Sequence, residues 1–240
     1  MPLRLSETTR RFLIIGIFGI AMGFLEATVV VYLRKILYPD GFAFPLQTFD
    51  TRLLVTELIR EFSTLVMLIS VGLLAGRTLL QKFSFFIYLF GVWDIFYYVA
   101  LKLFLNWPAS LVTWDLLFLM PIAWVGPVLA PVICSITMIA LALATNYPET
   151  KTAALRLKTG EWIFLISGAF IIFFSFIRDY SLILIRGGYL SDIFHLADNP
   201  DFRQVISAYI PTRYAWDMFV IGEILIILCI GSILYRKRKG

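Results

Sequence analysis

The chain has 240 residues, of which 60% are hydrophobic and only 15% are charged, and its formal net charge is +5. This composition, with a mean hydropathy of +0.86, excludes an ordinary soluble domain and indicates a polytopic membrane protein. Six spans of about 20 residues use about half of the chain, which leaves no room for a separate soluble domain. We therefore predict a single all-α transmembrane bundle over residues 1–240.

Six apolar stretches are each long enough to cross ~30 Å of hydrocarbon as a helix. A helix satisfies its own backbone hydrogen bonds in lipid, and the alternating ten-residue strands of a membrane barrel do not occur in this sequence. The predicted spans are residues 12–33, 53–75, 83–105, 127–145, 162–185 and 214–235.

The distribution of basic residues predicts the orientation, because cytoplasmic loops are enriched in Lys and Arg. With the amino terminus inside, the inner side holds more than half of the 21 basic residues: Arg4, Arg10, Arg11, Arg77, Lys82, Lys151, Arg156, Lys158, Arg236, Lys237, Arg238 and Lys239. A seventh span over residues 110–126 would move the basic carboxy terminus outside and is rejected for that reason. We expect both termini on the cytoplasmic side of a prokaryotic inner membrane.

The same distribution identifies the expected partner. The excess positive charge lies where inner loops meet anionic lipid headgroups, so it needs no nucleic acid to explain it. We expect the lipid bilayer as the partner, together with a homo-oligomer or a second membrane subunit as alternatives for assembly.

Residues 106–131 form an unusual connection that is rich in Pro and Trp. Thr113 suits a helix N-cap, Asp115 suits a first turn, and Pro121 would end the helix. We predict a short interfacial or re-entrant helix on the outer face, with a surface aromatic belt as the alternative.

A second outer segment, residues 186–213, predicts another short helix. Asn199 is a suitable N-cap and Pro200 a suitable first residue. Four apolar side chains then follow with helical spacing, which indicates an amphipathic helix on the membrane or over the mouth of the bundle: Phe202, Val205, Ile206 and Tyr209.

Several carboxylates lie well inside the predicted spans, where a charge costs about 2.5–3.5 kcal/mol at a helix centre. Such residues usually face a bundle interior and mark a functional site. In the second span Glu57, Arg60 and Glu61 share one face, so we expect Arg60 to neutralise one of the two glutamates. The predicted pocket-lining residues are Glu26, Glu57, Arg60, Glu61, Asp94, Tyr98, Trp216 and Glu223.

Three of these carboxylates have no residue of opposite charge nearby in sequence: Glu26, Asp94 and Glu223. They lie on three different spans and carry the prediction of a pocket in the outer half of the bundle. A tyrosine hydroxyl beside Asp94, such as that of Tyr98, is expected to satisfy this carboxylate. Trp216 precedes Glu223 by seven residues and shares its helix face.

Three other aspartates are assigned to ordinary structural roles. Asp115 and Asp217 each follow a Trp at a predicted membrane boundary, where the carboxylate can remain hydrated. Asp179 follows Arg178 and is expected to form a local ion pair with it.

The few residues that commonly bind metals or form disulfides are poorly placed for either role. His195 is the only histidine, and we interpret it as an exposed loop residue rather than as a metal ligand with Asp192 and Asp198. Cys134 and Cys229 lie in predicted spans and are interpreted as packing residues. We predict no metal site and no cofactor, and the sequence identifies no catalytic residue.

Three functions remain compatible with this pattern. The favoured one is binding or moving a cation, a proton, or a small polar or cationic solute in the carboxylate-lined pocket. The first alternative is an accessory or assembly subunit whose buried charges join helices. The second alternative, and the least favoured, is a membrane-embedded enzyme that acts on a lipid-type substrate at the outer leaflet.

Overall fold

The structure is a computed structural model that describes residues 6–47, 51–146, 156–192, 196 and 199–239. Within these ranges the chain forms seven α-helices, a short 3₁₀ turn and one pair of strands. The elements in chain order are α1 (Glu7–Leu37), α2 (Thr51–Ala75), α3 (Leu79–Leu105), β1 (Trp114–Phe118), β2 (Trp124–Pro127), α4 (Leu129–Asn146), α5 (Thr159–Arg186), the 3₁₀ turn (Tyr189–Asp192), α6 (Pro200–Ser207) and α7 (Trp216–Lys239).

Six of the helices are long and apolar enough to cross a membrane: α1, α2, α3, α4, α5 and α7. They correspond to the six predicted spans, and most extend beyond the apolar stretch because the helix continues to a polar cap. The side chain of Ser6 accepts a hydrogen bond from the Thr9 amide at the start of α1, and Thr78 and Gln81 form a capping box at the start of α3. The six apolar helices indicate an integral, multi-pass membrane protein.

The short helix α6 begins where the sequence predicts it. The Asn199 side chain accepts hydrogen bonds from the backbone amides of Asp201 and Phe202, and Pro200 occupies the first helical position. Ile206, near the end of α6, and Tyr209 pack against a small apolar cluster that includes Leu46 and Tyr180.

Residues 114–127 differ from the prediction, because they form a β-hairpin rather than a short helix. The two strands are antiparallel, with Trp114 opposite Pro127 and Asp115 opposite Gly126. Strand β2 also displaces the start of α4 to Leu129. The prediction of a helix capped by Thr113 was wrong, because the residues on the two sides of Pro121 pair with each other as strands.

The helices pack in a connected series in which α3 is central. It packs against α1, α2 and α4, while α7 packs against α4 and α5. The start of α1 and the end of α7 lie at the same end of this bundle, which we call the terminal end. The hairpin enters from the opposite end, which we call the hairpin end.

The hairpin reaches well into the bundle. The Leu119 amide, which follows β1, donates hydrogen bonds to Glu61 of α2, and Glu61 is ten residues, or about 15 Å, from the first residue of α2. Phe118 likewise approaches Trp93 of α3, with 6.3 Å between ring centroids. The hairpin is therefore an internal wall of the bundle rather than a surface loop.

Close approach of α1 to α3 depends on glycine. A Cβ atom at Gly23 would lie 2.7 Å from the Trp93 carbonyl oxygen and 2.9 Å from the Tyr97 backbone nitrogen. Gly91 of α3 allows the same close approach of α4, because a Cβ atom at Gly91 would lie 2.6 Å from the Ser135 carbonyl oxygen. These contacts fix α1 and α4 against two sides of α3 and so position the polar residues that α3 carries.

Candidate functional site

One cavity of about 400 Å³ lies inside the bundle, bordered by all six long helices and the hairpin. Its volume is in the range of sites that hold small molecules. Seven of the eight predicted pocket-lining residues border it: Glu26, Glu57, Arg60, Glu61, Asp94, Tyr98 and Glu223. Further polar residues also border it, and sequence reasoning did not assign them to a site: Arg34, Tyr97, Asp115, Cys134, Ser135 and Thr137.

Trp216 is the predicted residue that the structure places elsewhere. It lies at the start of α7 and contacts Tyr214 and Phe219 edge to face. It borders a separate surface pocket together with Asp217 and Arg213. The seven-residue spacing from Glu223 was misleading because two turns of helix separate Trp216 from the level of the cavity.

Arg60 on α2 is the centre of the first polar group in the cavity. It forms ion pairs with Glu57, one turn earlier on α2, and with Glu26 on α1. The Thr64 hydroxyl donates a second hydrogen bond to Glu26 at 3.1 Å. Glu26 has no cationic residue nearby in sequence, and its partner Arg60 comes from another helix.

Glu61 has a different role from the neighbouring Glu57. Its two carboxylate oxygens accept the Leu119 amide at 3.1 and 3.0 Å, and the side chain is buried. A backbone amide inside an apolar bundle must find an acceptor, and a carboxylate is a strong one. Glu61 therefore fastens the tip of the hairpin to α2.

Asp115 at the hairpin end forms the second polar group, and it is 1% exposed. Arg34 of α1 donates to Asp115 at 2.9 Å, and the Tyr98 hydroxyl donates to its other oxygen at 3.2 Å. The Arg34 guanidinium also lies over the rings of Phe42 and Trp107, 4.3 and 3.8 Å from their centroids. The interpretation of Asp115 as a hydrated boundary residue was wrong.

The surroundings of Asp115 act on its acidity in opposite directions. Burial raises the pKa of this carboxyl above its ordinary value, whereas the Arg34 guanidinium and the Tyr98 hydroxyl oppose the rise. The Tyr98 hydroxyl donates to Asp115 and not to Asp94, so the expectation that Tyr98 satisfies Asp94 was wrong, and Ser135 is the donor to Asp94.

The third polar group consists of the two remaining carboxylates that border the cavity, Asp94 on α3 and Glu223 on α7. The Ser135 hydroxyl donates to Asp94 and the Thr137 hydroxyl donates to Glu223, each at 2.8 Å. Both donors lie on α4, two residues apart. Both carboxylates are more than nine-tenths buried, and no ion pair to either is present among the described residues.

Among the buried polar atoms without a hydrogen-bond partner in the described chain are one oxygen of Glu223 and the indole nitrogen of Trp93, and both residues border the cavity. Glu223 Oε1 has no hydrogen-bond partner in the part of the chain that the structure describes. Trp93, 3% exposed, also borders the cavity, and its indole N–H has no acceptor among the described residues. Buried polar groups are usually paired, so this acceptor and this donor indicate a place where a ligand can bind.

The remaining predictions concern residues outside the cavity. Asp179 lies 3.6 Å from Arg178, as expected of a local pair, and also accepts a 2.7 Å hydrogen bond from the Tyr209 hydroxyl. His195 and Asp198 lie outside the described residues. In the described ranges no group of three or more His, Cys, Asp or Glu side chains is arranged to hold a metal ion.

The fold and the cavity define a polytopic helical membrane protein with buried carboxylates at its centre. Comparison of the chain with protein-family models, with curated proteins and with solved structures finds no match.

Proposed function

We propose that the chain binds a cationic or polar solute in the central cavity, with Asp94 and Glu223 as the primary ligands. The observation that carries this proposal is the third polar group, whose two carboxylates have neutral hydroxyl partners and no cationic one in the described chain. An ionised carboxylate in an apolar bundle is strongly stabilised by a bound cation. The solute then supplies the charge that the protein lacks.

The other charged residues of the cavity support this assignment by elimination. Glu26 and Glu57 are paired with Arg60, Asp115 is paired with Arg34, and Glu61 holds the hairpin. These groups build the walls of the cavity. Asp94 and Glu223 have no such structural role, so they are the carboxylates that we propose bind the solute.

Aromatic rings that border the cavity also suit a cation. Trp93, Tyr97 and Trp124 border the same cavity, and the faces of such rings attract ammonium and guanidinium groups. A cavity with two carboxylates that lack a cationic partner and with aromatic walls is therefore a chemically coherent site for an organic cation.

The test is the binding of tetramethylammonium to the purified protein in lipid nanodiscs, measured by calorimetry. We expect saturable binding by the wild type, weakened by about tenfold or more in Asp94→Asn and Glu223→Gln, because each substitution removes the charge and keeps the shape. Binding should also weaken as the pH is lowered, because protons compete with the cation for the carboxylates.

Asp217→Asn is the matched control, since Asp217 is an exposed carboxylate on the same helix as Glu223 and should not affect binding. Thermal unfolding of each variant checks that it is folded. Equal affinity in the wild type and in both cavity variants would contradict the proposal.

A second candidate function is that of an accessory subunit, favoured by the ion pairs that join α1 to α2 and α1 to the hairpin. Charges used in this way hold elements together without binding a solute. If this candidate is right, neither the wild type nor the two variants bind the cation. Asp94→Asn and Glu223→Gln would instead reduce the recovery of a larger complex from the membrane.

A further inference from the structure

The cavity has an apolar part that the carboxylates do not use. Along α3 the lining residues continue from Asp94 towards the terminal end through Phe90 and Ile87 to Phe83. Phe83 is eleven residues from Asp94, which corresponds to about 17 Å along the helix. This length is close to the ~15 Å that one leaflet contributes to a ~30 Å hydrocarbon core.

Other helices complete this apolar part. Leu141 on α4, Leu165 and Ala169 on α5, and Ile226 on α7 all border the same cavity. Leu141 lies beyond Ser135 and Thr137 in the direction of the terminal end, and Leu165 lies in the second turn of α5 at that same end. A small hydrophilic cation would leave this part of the cavity unused.

The charged residues that border the cavity indicate the charge of the ligand's head group. Six carboxylates border it: Glu26, Glu57, Glu61, Asp94, Asp115 and Glu223. The two arginines that border it, Arg34 and Arg60, are both engaged with carboxylates. An anionic head group would meet uncompensated negative charge, whereas a cationic head group would meet Asp94 and Glu223.

We propose that the ligand is an amphiphilic cation with one apolar chain, whose head lies at Asp94 and Glu223 and whose chain extends along Phe90, Ile87 and Phe83. This inference rests on the proposed function and adds the class of solute. The volume of about 400 Å³ suits a single chain rather than a two-chain phospholipid.

The test compares two quaternary ammonium ions, tetramethylammonium and dodecyltrimethylammonium, which carry the same charge and differ in chain length. Binding of the radiolabelled ions is measured on the protein in lipid nanodiscs, with empty nanodiscs subtracted to remove partitioning into lipid. We expect the dodecyl ion to bind about tenfold more tightly or better, because its chain occupies the apolar part of the cavity.

Ala169→Trp adds bulk within the apolar part and should abolish the advantage of the dodecyl ion. Ile166→Trp is the matched control, because Ile166 is on the same helix, is 49% exposed and does not border the cavity. This control should keep the advantage. Leu141→Trp replaces Ala169→Trp if the latter does not fold.

The outcomes separate this inference from the proposed function. If tetramethylammonium binds specifically and the dodecyl chain gives no gain in affinity, the proposal of an amphiphilic ligand is wrong, whereas the proposed cation site is still supported. Equally tight binding of dodecyl sulfate would overturn the cationic head. Failure of both ammonium ions to bind would overturn the proposed function itself, and the inference with it.

Discussion

The Arg34 side chain of α1 donates a 2.9 Å hydrogen bond to Asp115 of β1, across 81 residues of sequence, and both residues are more than nine-tenths buried. This ion pair joins the first helix to the hairpin. Because the pair is removed from water, each residue depends on the other for compensation of its charge.

Removing one member of this pair should destabilise the protein strongly. We expect Arg34→Met or Asp115→Leu to lower the free energy of unfolding by about 3–5 kcal/mol, because each leaves a buried charge without its partner. The double variant should recover much of this loss, since no charge is then buried. Denaturant unfolding in detergent, analysed as a double-mutant cycle, measures the coupling. Additive losses would show that the two side chains act independently.

The contact between Glu61 and the hairpin leads to a local prediction. Glu61→Ala leaves the Leu119 amide without its acceptor, which costs about 1–3 kcal/mol at a buried site. We expect faster hydrogen exchange in peptides that cover residues 114–124, while exchange in α5 and α7 is unchanged. Glu7→Ala, which removes a half-exposed carboxylate at the terminal end, is the control. Unchanged exchange in the hairpin peptides would show that Glu61 does not hold it.

Gly23 should tolerate no side chain. Gly23→Ala places a Cβ within 3 Å of two backbone atoms of α3, so α1 and α3 must separate, at a cost of about 1–3 kcal/mol. Gly231→Ala is the matched control, because a Cβ there meets nothing within 4 Å and alanine favours the helix. Thermal unfolding in detergent should give a lower midpoint for the first variant only. Equal midpoints would place α1 further from α3 than the structure does.

The proposed orientation can be measured in intact cells with a maleimide that does not cross membranes. The basic residues predict that both termini are inside and the hairpin end outside. Ala109→Cys, in the exposed loop before β1, should be labelled directly, whereas Lys239→Cys should be labelled only after the membrane is opened. The wild type is the blank, because Cys134 and Cys229 lie inside helices. The reverse pattern of labelling would mean the opposite orientation.

The sequence predicts the six long helices well because their signal is local. Each is a continuous apolar stretch, and the chain must be helical where it meets lipid. The hairpin was not predicted although a local signal existed. Trp114–Phe118 and Trp124–Pro127 are two aromatic-containing runs separated by a short segment with Pro121, which also suits two strands and a turn.

Pairing between residues on different elements was harder to predict than their presence in the cavity. Arg60 was expected to neutralise a glutamate of its own helix, and it does pair with Glu57. Its second partner, Glu26, is 34 residues away, and Asp115 was assigned to the boundary because nothing near it in sequence suggests Arg34. Helix periodicity gives the face of a residue but not the neighbouring helix that the face meets.

The hairpin also constrains how the protein is made. The ribosome synthesises α1 and α2 before Asp115, so Arg34 is at first without its carboxylate partner. Arg34 is near the end of α1, where a long side chain can reach the headgroup region. Glu223, on α7, is synthesised after all the other carboxylates that border the cavity. The cavity therefore cannot exist in a nascent chain that has inserted only its first three helices, and it is complete only after α4, α5 and α7 have also been inserted.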